Sequence, residues 1–142
     1  MRVYVDASVL LRIVLGEPDR LDVWPRIDDA VSSELVRVES LRTIDRARIV
    51  LGLPDDEVAR RRSAILEAID AFSIVPVNSA ILERAAEPFP TLIGSLDAIH
   101  LASAVLVRAE GDDLSFATHD LELGRAARSV GFEVHGVSDP TG

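Results

Sequence analysis

The sequence predicts an α/β fold in which a parallel sheet carries helices on both faces. Short apolar segments, partly β-branched, recur along the chain as they do in parallel strands that are buried on both faces. Stretches with helical character separate these segments, and strands that alternate with helices form parallel sheets. With 142 residues, 48% of them hydrophobic, the chain is long enough for one domain with one core.

The predicted elements follow one another without a repeat or a long linker. Strands are predicted at 2–6, 31–33, 73–77, 114–118 and 132–137, and helices at 8–15, 18–30, 34–51, 55–71, 79–87, 96–109 and 121–130. Gly52 and Pro54 separate the two middle helices, which predicts a helical hairpin. Ser79 and Ser95 are predicted N-caps, and Gly131 follows a predicted helix end.

Composition restricts where the protein acts and what it binds. The formal charge of −9 argues against nucleic-acid binding through a broad basic surface, but it is compatible with a nuclease whose acidic site is neutralised by metal. The absence of cysteine, of a run of about 18 apolar residues and of a secretory leader predicts a cytoplasmic protein without a membrane partner. We expect residues 1–137 to form a single domain and residues 138–142 a flexible C-terminal tail.

Four carboxylates are placed at one edge of the predicted sheet. Asp6 ends the first strand and Asp120 lies two residues beyond Thr118, at the end of another. Ligands collect beyond the carboxyl ends of parallel strands, and the helix after each strand starts at that same edge. That geometry adds Asp97 from the first turn of one helix and Glu39 from the early turns of another. The topology therefore delivers all four side chains to one rim.

Each carboxylate also has a purely structural interpretation. The three aspartates stand where a side chain can cap a helix or complement its N-terminal dipole. Glu39 shares a helix face with Arg42 and Arg46, at spacings of three and seven, which is typical of a surface ion-pair stripe. These interpretations stay open residue by residue, but they leave the convergence of four like charges unexplained.

Converging carboxylates favour a metal site. Two carboxylates about 5 Å apart repel by roughly 3 kcal/mol at an effective dielectric of about 20, so four of them need a cation or must take up protons. Oxygen-only ligands select hard ions, Mg²⁺ or Mn²⁺, over zinc. Such an ion acidifies water and offsets charge on a phosphodiester during in-line attack. The residues thus predict metal-dependent phosphoryl transfer without a protein nucleophile.

Missing residue types argue against several rival sites. All 15 basic residues are arginine, so the lysine used by phosphoacceptor receiver domains, haloacid-dehalogenase-type phosphatases and Walker A loops is absent. The chain also lacks the Gly-x-Gly-x-x-Gly pattern of dinucleotide sites and the Gly-x-Ser-x-Gly pattern of acyl-transfer triads. No pair of histidines has the spacing of a zinc site.

Four stretches resemble the PIN-domain family, and within it the VapC-type toxins of bacterial toxin–antitoxin pairs. They are "VYVDASVLLRIVLGEPD", "SSELVRVESLR", "LDAIHLASAV" and "FATHDLELGRAARSVGFEV", which occur in the family's order and lie within residues 2–137. The resemblance implies a PIN-like three-layer α/β/α sandwich with a mostly parallel sheet of four to five strands and a helical hairpin. It also implies a Mg²⁺-dependent endoribonuclease, with Mn²⁺ as a substitute, that cleaves RNA, forms a homodimer and is inhibited by a cognate antitoxin.

The same resemblance assigns roles to the four carboxylates. Asp6 and Asp97 match the core metal ligands of the family. Glu39 matches an acidic residue that binds metal or orients water, and Asp120 matches the last acidic position. The predicted catalytic set and the predicted metal ligands are therefore the same four residues.

Two neighbouring hydroxyls and one extra carboxylate complete the resemblance. Ser8 and Thr118 match residues that orient the acidic cluster through hydrogen bonds. Many relatives carry a further Asp or Asn beside the last motif, whereas this chain reads "THDLEL". Glu122 is either an additional ligand or a carboxylate on the helix surface, and we favour the surface.

The remaining polar candidates are histidines and arginines. His100 resembles the family's helix-packing histidine, and both His100 and His135 are predicted to be structural. His119 is near the rim, where it contacts RNA or faces solvent. Arg42 and Arg46 are candidate RNA contacts because a guanidinium can bind a phosphate with two hydrogen bonds. Exposed apolar positions expected on the hairpin suggest a groove for an antitoxin helix or a second protomer.

Two alternative functions are compatible with the sequence. The first is a catalytically inactive PIN-like module that binds RNA or protein, although a binder gains little from concentrated negative charge. The second is a nuclease acting on DNA or a flap structure, although the short chain lacks the helical arch or basic platform that such enzymes use. Cleavage of RNA is the favoured prediction.

Overall fold

The computed structural model describes residues 1–111 and 113–138, which form a parallel five-stranded sheet with helices packed against it. The strands are β1 (Arg2–Val5), β2 (Asp29–Ser33), β3 (Ser73–Val75), β4 (Ser115–Ala117) and β5 (Val134–His135). The helices are α1 (Ala7–Val14), α2 (Leu35–Leu51), α3 (Asp55–Asp70), α4 (Ser79–Ala86), α5 (Ser95–Ala109) and α6 (Leu121–Ser129). No helix in these ranges is long and apolar enough to cross a membrane.

The strand order β3-β2-β1-β4-β5 creates a switch point between β1 and β4. All four strand pairings are parallel, and Tyr4 in β1 is in register with Val31 of β2 and Phe116 of β4. From β1 the chain adds β2 and then β3 on one side of the sheet. It later adds β4 and β5 on the other side of β1. Ligands of open α/β sheets bind at the carboxyl ends of the strands beside such a point.

Alternate residues of β1 face different core layers. Tyr4 packs with Phe116 and Leu101 on one face of the sheet. Val3 and Val5 pack in a second cluster, with residues of α1 and of the segment before β2. Helices therefore cover both faces, as the sequence predicts, and the sheet lies between them. The predicted α/β class and the five predicted strands are confirmed.

The helical hairpin of α2 and α3 is also confirmed. Gly52 ends α2 in the left-handed conformation, with φ of 64°, and Pro54 is the N-cap of α3. A left-handed residue favours glycine because it has no Cβ. The outer surface of α2 carries exposed apolar side chains, including Val38 and, near the helix end, Ile49 and Val50.

The predicted helix at 18–30 is wrong. The structure has turns there, a short 3-10 helix at Trp24–Arg26, and the beginning of β2. Pro25 removes a backbone donor from the middle of the segment, which an α-helix tolerates poorly. Leu21 and Val23 are buried against the sheet, with a spacing of two that suits extended chain rather than a helix.

Two predicted N-caps are displaced by one residue. The cap of α4 is Asn78, whose side-chain oxygen accepts the backbone N–H of Ile81 at 3.0 Å, and Ser79 is the first helical residue. The cap of α5 is Gly94 instead of Ser95, and it makes no side-chain cap hydrogen bond. Asparagine caps helices as well as serine does, so neighbouring Asn and Ser cannot be ranked from propensity alone. Of the predicted tail 138–142, residues 139–142 lie outside the described residues.

The Asn78 cap leads to a paired stability prediction. Asn78→Ala is expected to lower the free energy of unfolding by about 1 kcal/mol, because one N-terminal backbone donor loses its partner. Ser79→Ala is the matched control and should change it by less than about 0.5 kcal/mol. Urea denaturation followed by circular dichroism measures both, and an equal loss in the two variants would contradict the assigned cap.

Candidate active site

Asp6 lies at the switch point, between β1 and α1, and its carboxylate accepts three hydrogen bonds. Ser8 Oγ donates to Oδ1 at 2.6 Å, the Val9 backbone N–H donates to the same atom at 3.2 Å, and Thr118 Oγ1 donates to Oδ2 at 2.6 Å. The side chain is buried, and burial raises its pKa while the hydrogen bonds from Ser8 and Thr118 act in the opposite direction. Asp6 is thus the helix cap of α1 and also a carboxylate held at the sheet edge.

The same two hydroxyls also hold the chain after β4. Ser8 Oγ accepts the backbone N–H of His119 at 2.9 Å, and Thr118 Oγ1 accepts that of Asp120 at 3.0 Å. Each hydroxyl therefore links the buried carboxylate of Asp6 to the loop that carries Asp120. Asp120 is the N-cap of α6, and its Oδ1 accepts a backbone N–H there.

Glu39 pairs with a histidine rather than with the arginines on its own helix. His100 Nε2 is 2.5 Å from Glu39 Oε1, and His100 Nδ1 is 2.7 Å from the hydroxyl of Tyr4. A carboxylate only accepts, so Nε2 donates to Glu39, and in the neutral ring Nδ1 accepts from Tyr4. Arg42 pairs with Asp45 at 2.9 Å. The alternative interpretation of Glu39 as part of an ion-pair stripe with the arginines is therefore wrong.

The carboxylate of Asp97 interacts electrostatically with the other three carboxylates of the cluster. It is partly buried in the first turn of α5, and it makes no hydrogen bond to any described residue. Burial and the charges of Asp120, Asp6 and Glu39 together raise its pKa to about 6, while the charge of His100 acts in the opposite direction. The four predicted carboxylates are therefore close enough for the other three to shift the pKa of Asp97.

The raised pKa predicts how stability depends on pH. Folded Asp97 binds its proton more tightly than an ordinary aspartate does, with a pKa of about 6 against 3.8. The stability that this protonation contributes is complete below about pH 4 and is lost as pH rises through 6. In EDTA, the melting temperature of Asp97→Asn should therefore rise relative to wild type between pH 4 and 7. A difference in melting temperature that is constant over this range would contradict the shift.

The donor atoms suit a hard divalent ion. Within residues 1–111 and 113–138, no three His, Asp or Glu side chains stand close enough to hold a metal as they are placed. The four side chains are nevertheless all carboxylates, three of them raise the pKa of the fourth, Asp97, and neither Asp97 oxygen is hydrogen-bonded to a residue that the structure describes. Carboxylate oxygens are the ligands of Mg²⁺ and Mn²⁺, and a divalent cation would relieve the repulsion. The residues therefore fit such an ion in chemistry and charge.

The family follows from comparison with known proteins. Residues 3–129 match the PIN domain family. The chain belongs to the PIN-domain family. Ribonuclease VapC47 of Mycobacterium tuberculosis is 32% identical to this PIN domain over 92% of this chain and 93% of its own. Ribonuclease VapC46 of the same species is 30% identical over 93% and 95% of the two chains.

Solved structures share the fold of this PIN domain. The toxin–antitoxin complex from Klebsiella pneumoniae contains a chain with a TM-score of 0.65 and 16% identity, which covers 91% of this chain and 94% of that one. VapBC2 from Rickettsia felis, bound to a promoter DNA fragment, gives a TM-score of 0.66 at 12% identity, with coverage of 95% and 99%. The predicted family and PIN-like fold are confirmed.

Other predicted residues of the PIN domain lie outside the carboxylate cluster. Glu122 is exposed on α6, in agreement with the surface interpretation. Arg42 and Arg46 lie on α2 and, with Thr43, line a shallow cavity of about 190 Å³. Arg46 has no ion pair with any residue in the described ranges, so its guanidinium is available to a ligand.

Sequence reasoning missed the connection from Tyr4 through His100 to Glu39. His100 is buried and packed, as predicted, but both of its ring nitrogens are also used to hold other side chains. The available signals were a phenol in the middle of an apolar strand and a histidine three residues after Asp97, on the same helix face. Burial raises the pKa of Tyr4, so its hydroxyl stays protonated and can donate.

Proposed function

We propose that this PIN domain is a metal-dependent endoribonuclease and the toxin of a type II toxin–antitoxin pair. The observation that carries the proposal is the cluster of Asp6, Glu39, Asp97 and Asp120 at the switch point, where three carboxylates raise the pKa of the fourth. A fold gains nothing from such repulsion unless a cation is bound there. The ribonuclease names of VapC47 and VapC46 support RNA as the substrate.

The proposed roles follow from the contacts of each residue. Asp6 and Asp97 would hold Mg²⁺, or Mn²⁺ in its place, with Asp120 and Glu39 as further ligands or as acceptors that orient water. The bound ion would make that water more acidic and offset charge on the phosphodiester. Ser8 and Thr118 keep Asp6 in one orientation. Tyr4 and His100 do the same for Glu39, because His100 occupies Oε1 and leaves Oε2 for the site.

The proposed partners are RNA, an antitoxin and a second copy of this chain. Arg46, which lacks an ion pair in the described ranges, and its neighbour Arg42 are the proposed RNA contacts on α2. The exposed apolar residues of α2 would bury surface against an antitoxin helix or another protomer. The similar fold found in the Klebsiella pneumoniae toxin–antitoxin complex supports an antitoxin as one of these partners.

Cleavage of a defined mixture of structured RNAs tests the proposed function. Purified protein should cut RNA in Mg²⁺ and in Mn²⁺, and EDTA should abolish the cutting. If the protein cuts no RNA, calorimetric titration with Mn²⁺ shows whether it binds metal. If metal does not bind, the proposal is wrong, and the inactive RNA- or protein-binding module becomes the better description.

A further inference from the structure

A cavity of about 430 Å³ opens beside the carboxylate cluster. One wall is formed by residues 19–23, before β2, and the other by β5 and the residues that follow it. His119 also lines the cavity, and it is the residue between Thr118 and Asp120. Ligand sites commonly have volumes of about 300–1,000 Å³, so this cavity has the size of a binding site.

Contacts with backbone carbonyl groups hold both walls of the cavity in place. Gly136 has φ of +100°, and a Cβ at this position would stand 2.4 Å from the carbonyl oxygen of Thr118. Glycine thus lets the end of β5 lie directly against the end of β4, where the Thr118 N–H donates to the His135 carbonyl at 3.0 Å. On the opposite wall, Arg12 donates to the backbone carbonyl of Asp19 at 3.2 Å.

Two histidines of the cavity carry a buried nitrogen without a hydrogen-bond partner in the described chain. His119 Nδ1 lies 3.0 Å from the carbonyl oxygen of Gly136, so Nδ1 donates and Nε2 is an acceptor in the neutral ring. His119 Nε2 and His135 Nε2 are both unpaired, and the closest carboxylate approach is Glu133 Oε1, 3.8 Å from His135 Nε2. Buried polar atoms are nearly always paired, so the unpaired acceptor of His119 points to a ligand with a donor group.

The charges of the cavity are mixed. Arg20 is exposed and has no ion pair or hydrogen bond within the described ranges, whereas Asp19 and Asp22 add two carboxylates. One guanidinium suits a phosphodiester with a single negative charge, and the carboxylates disfavour a phosphate with two. Val134 and Val137, which are only partly buried, supply apolar surface for the flat face of a base.

We propose that this cavity receives one nucleotide of the RNA strand, next to the phosphodiester that is cut. Arg20 binds the phosphodiester of that nucleotide, and His119 Nε2 accepts a hydrogen bond from the exocyclic amino group of its base. Guanine, adenine and cytosine carry such a group, whereas uracil does not. The inference rests on the proposed ribonuclease function, to which it adds a specificity site.

Steady-state cleavage of RNA by arginine variants tests the assignment of Arg20. Arg20→Ala should raise KM about tenfold and change kcat by less than about twofold, since charged hydrogen bonds contribute to binding on this scale. Arg20→Lys should recover part of the loss. Arg62→Ala is the matched control, because Arg62 is exposed on α3 and lacks an ion pair within the same described ranges.

Binding of single nucleotides tests the base preference without cleavage. Trp24 is the only tryptophan, and it lines an adjoining cavity of about 440 Å³ together with Arg20 and Leu21. In the Asp97→Asn protein, the 2′,3′-cyclic monophosphates of guanosine, adenosine and cytidine, which are phosphodiesters with a single charge, should change Trp24 fluorescence at concentrations about tenfold lower than that of uridine. His119→Ala, which removes the acceptor, should reduce this difference between the amino-bearing bases and uracil.

The outcomes distinguish a failure of the proposed nucleotide site from a failure of the proposed ribonuclease function. If Arg20→Ala and Arg62→Ala both cleave RNA with the wild-type KM, the nucleotide site is wrong while the ribonuclease stands. If wild type binds no metal and cuts no RNA, the ribonuclease proposal fails and so does the inference that rests on it. Binding of uridine 2′,3′-cyclic monophosphate as strongly as the other three cyclic nucleotides would overturn the assigned base preference.

Discussion

Replacement of Asp97 by asparagine is expected to reduce metal-dependent RNA cleavage by at least about 100-fold while the protein stays folded. A metal ion contributes several kcal/mol to stabilising charge in the transition state, and each 1.4 kcal/mol corresponds to about a tenfold change in rate. Asparagine keeps the shape of the side chain but removes the charge that would hold the ion. Asp97 makes no hydrogen bond to a described residue, so the substitution breaks no hydrogen bond within that part of the chain.

Asp97 is a cleaner test than Asp6. Asp6 accepts from Ser8, Val9 and Thr118 through both of its oxygens, and an asparagine amide would place a donor against one of these donors. Loss of activity in Asp6→Asn would therefore combine a changed charge with a disturbed loop. The Asp97 variant is free of this ambiguity.

Glu122→Gln is the matched control for Asp97→Asn. It removes one carboxylate from the exposed surface of α6, so it changes the net charge by the same amount outside the cluster. We expect rates within about twofold of wild type, as is usual for surface substitutions. Equal cleavage by wild type and Asp97→Asn would mean either that the activity is contamination or that Asp97 has no part in the mechanism.

Truncation of Phe116 is expected to have the largest effect on stability. Phe116 is fully buried in β4, stacks on Tyr4 with ring centroids 5.2 Å apart, and contacts Phe132 at 5.7 Å. Phe116→Ala should lower the free energy of unfolding by about 3–5 kcal/mol, because it removes apolar contacts and leaves a cavity. That loss is a large part of the 5–15 kcal/mol typical of a domain.

Urea denaturation measures the Phe116 effect against a surface control. Leu92 is 95% exposed, so Leu92→Ala should change the free energy of unfolding by less than about 0.5 kcal/mol. A loss below about 1 kcal/mol for Phe116→Ala would contradict the packing between β1 and β4. The same two strands carry Asp6 and Thr118 at their ends, so this packing also supports the proposed site.

Local sequence signals were sufficient for most of the fold. Apolar runs predicted the five strands because parallel strands are buried on both faces. Gly52 and Pro54 predicted the hairpin turn because each restricts the backbone locally. The helix predicted at 18–30 is wrong because Leu21 and Val23 are apolar without helical spacing. The contacts of such a segment with the sheet determine its path.

The edge of the sheet that carries the carboxylates could also be predicted. Asp6 interrupts an apolar sequence where β1 ends, and in parallel topology every strand ends at the same side of the sheet. Asp120 follows from the same argument because it lies between β4 and α6, and Asp97 follows because the far end of α5 leads into β4, so that α5 starts at the edge where β4 ends. Chain order alone therefore determined which side of the protein holds the acidic cluster.

Only the tertiary structure decided the partner of Glu39. The sequence places Arg42 and Arg46 on the same helix face, whereas the structure pairs Glu39 with His100, 61 residues away. The spacing of residues along one helix indicates only which side chains of that helix are neighbours. The packing of α2 and α5 at the sheet determines which side chains of different helices meet. His100 is buried and Arg42 is exposed, and a hydrogen bond is stronger where water does not compete for the carboxylate.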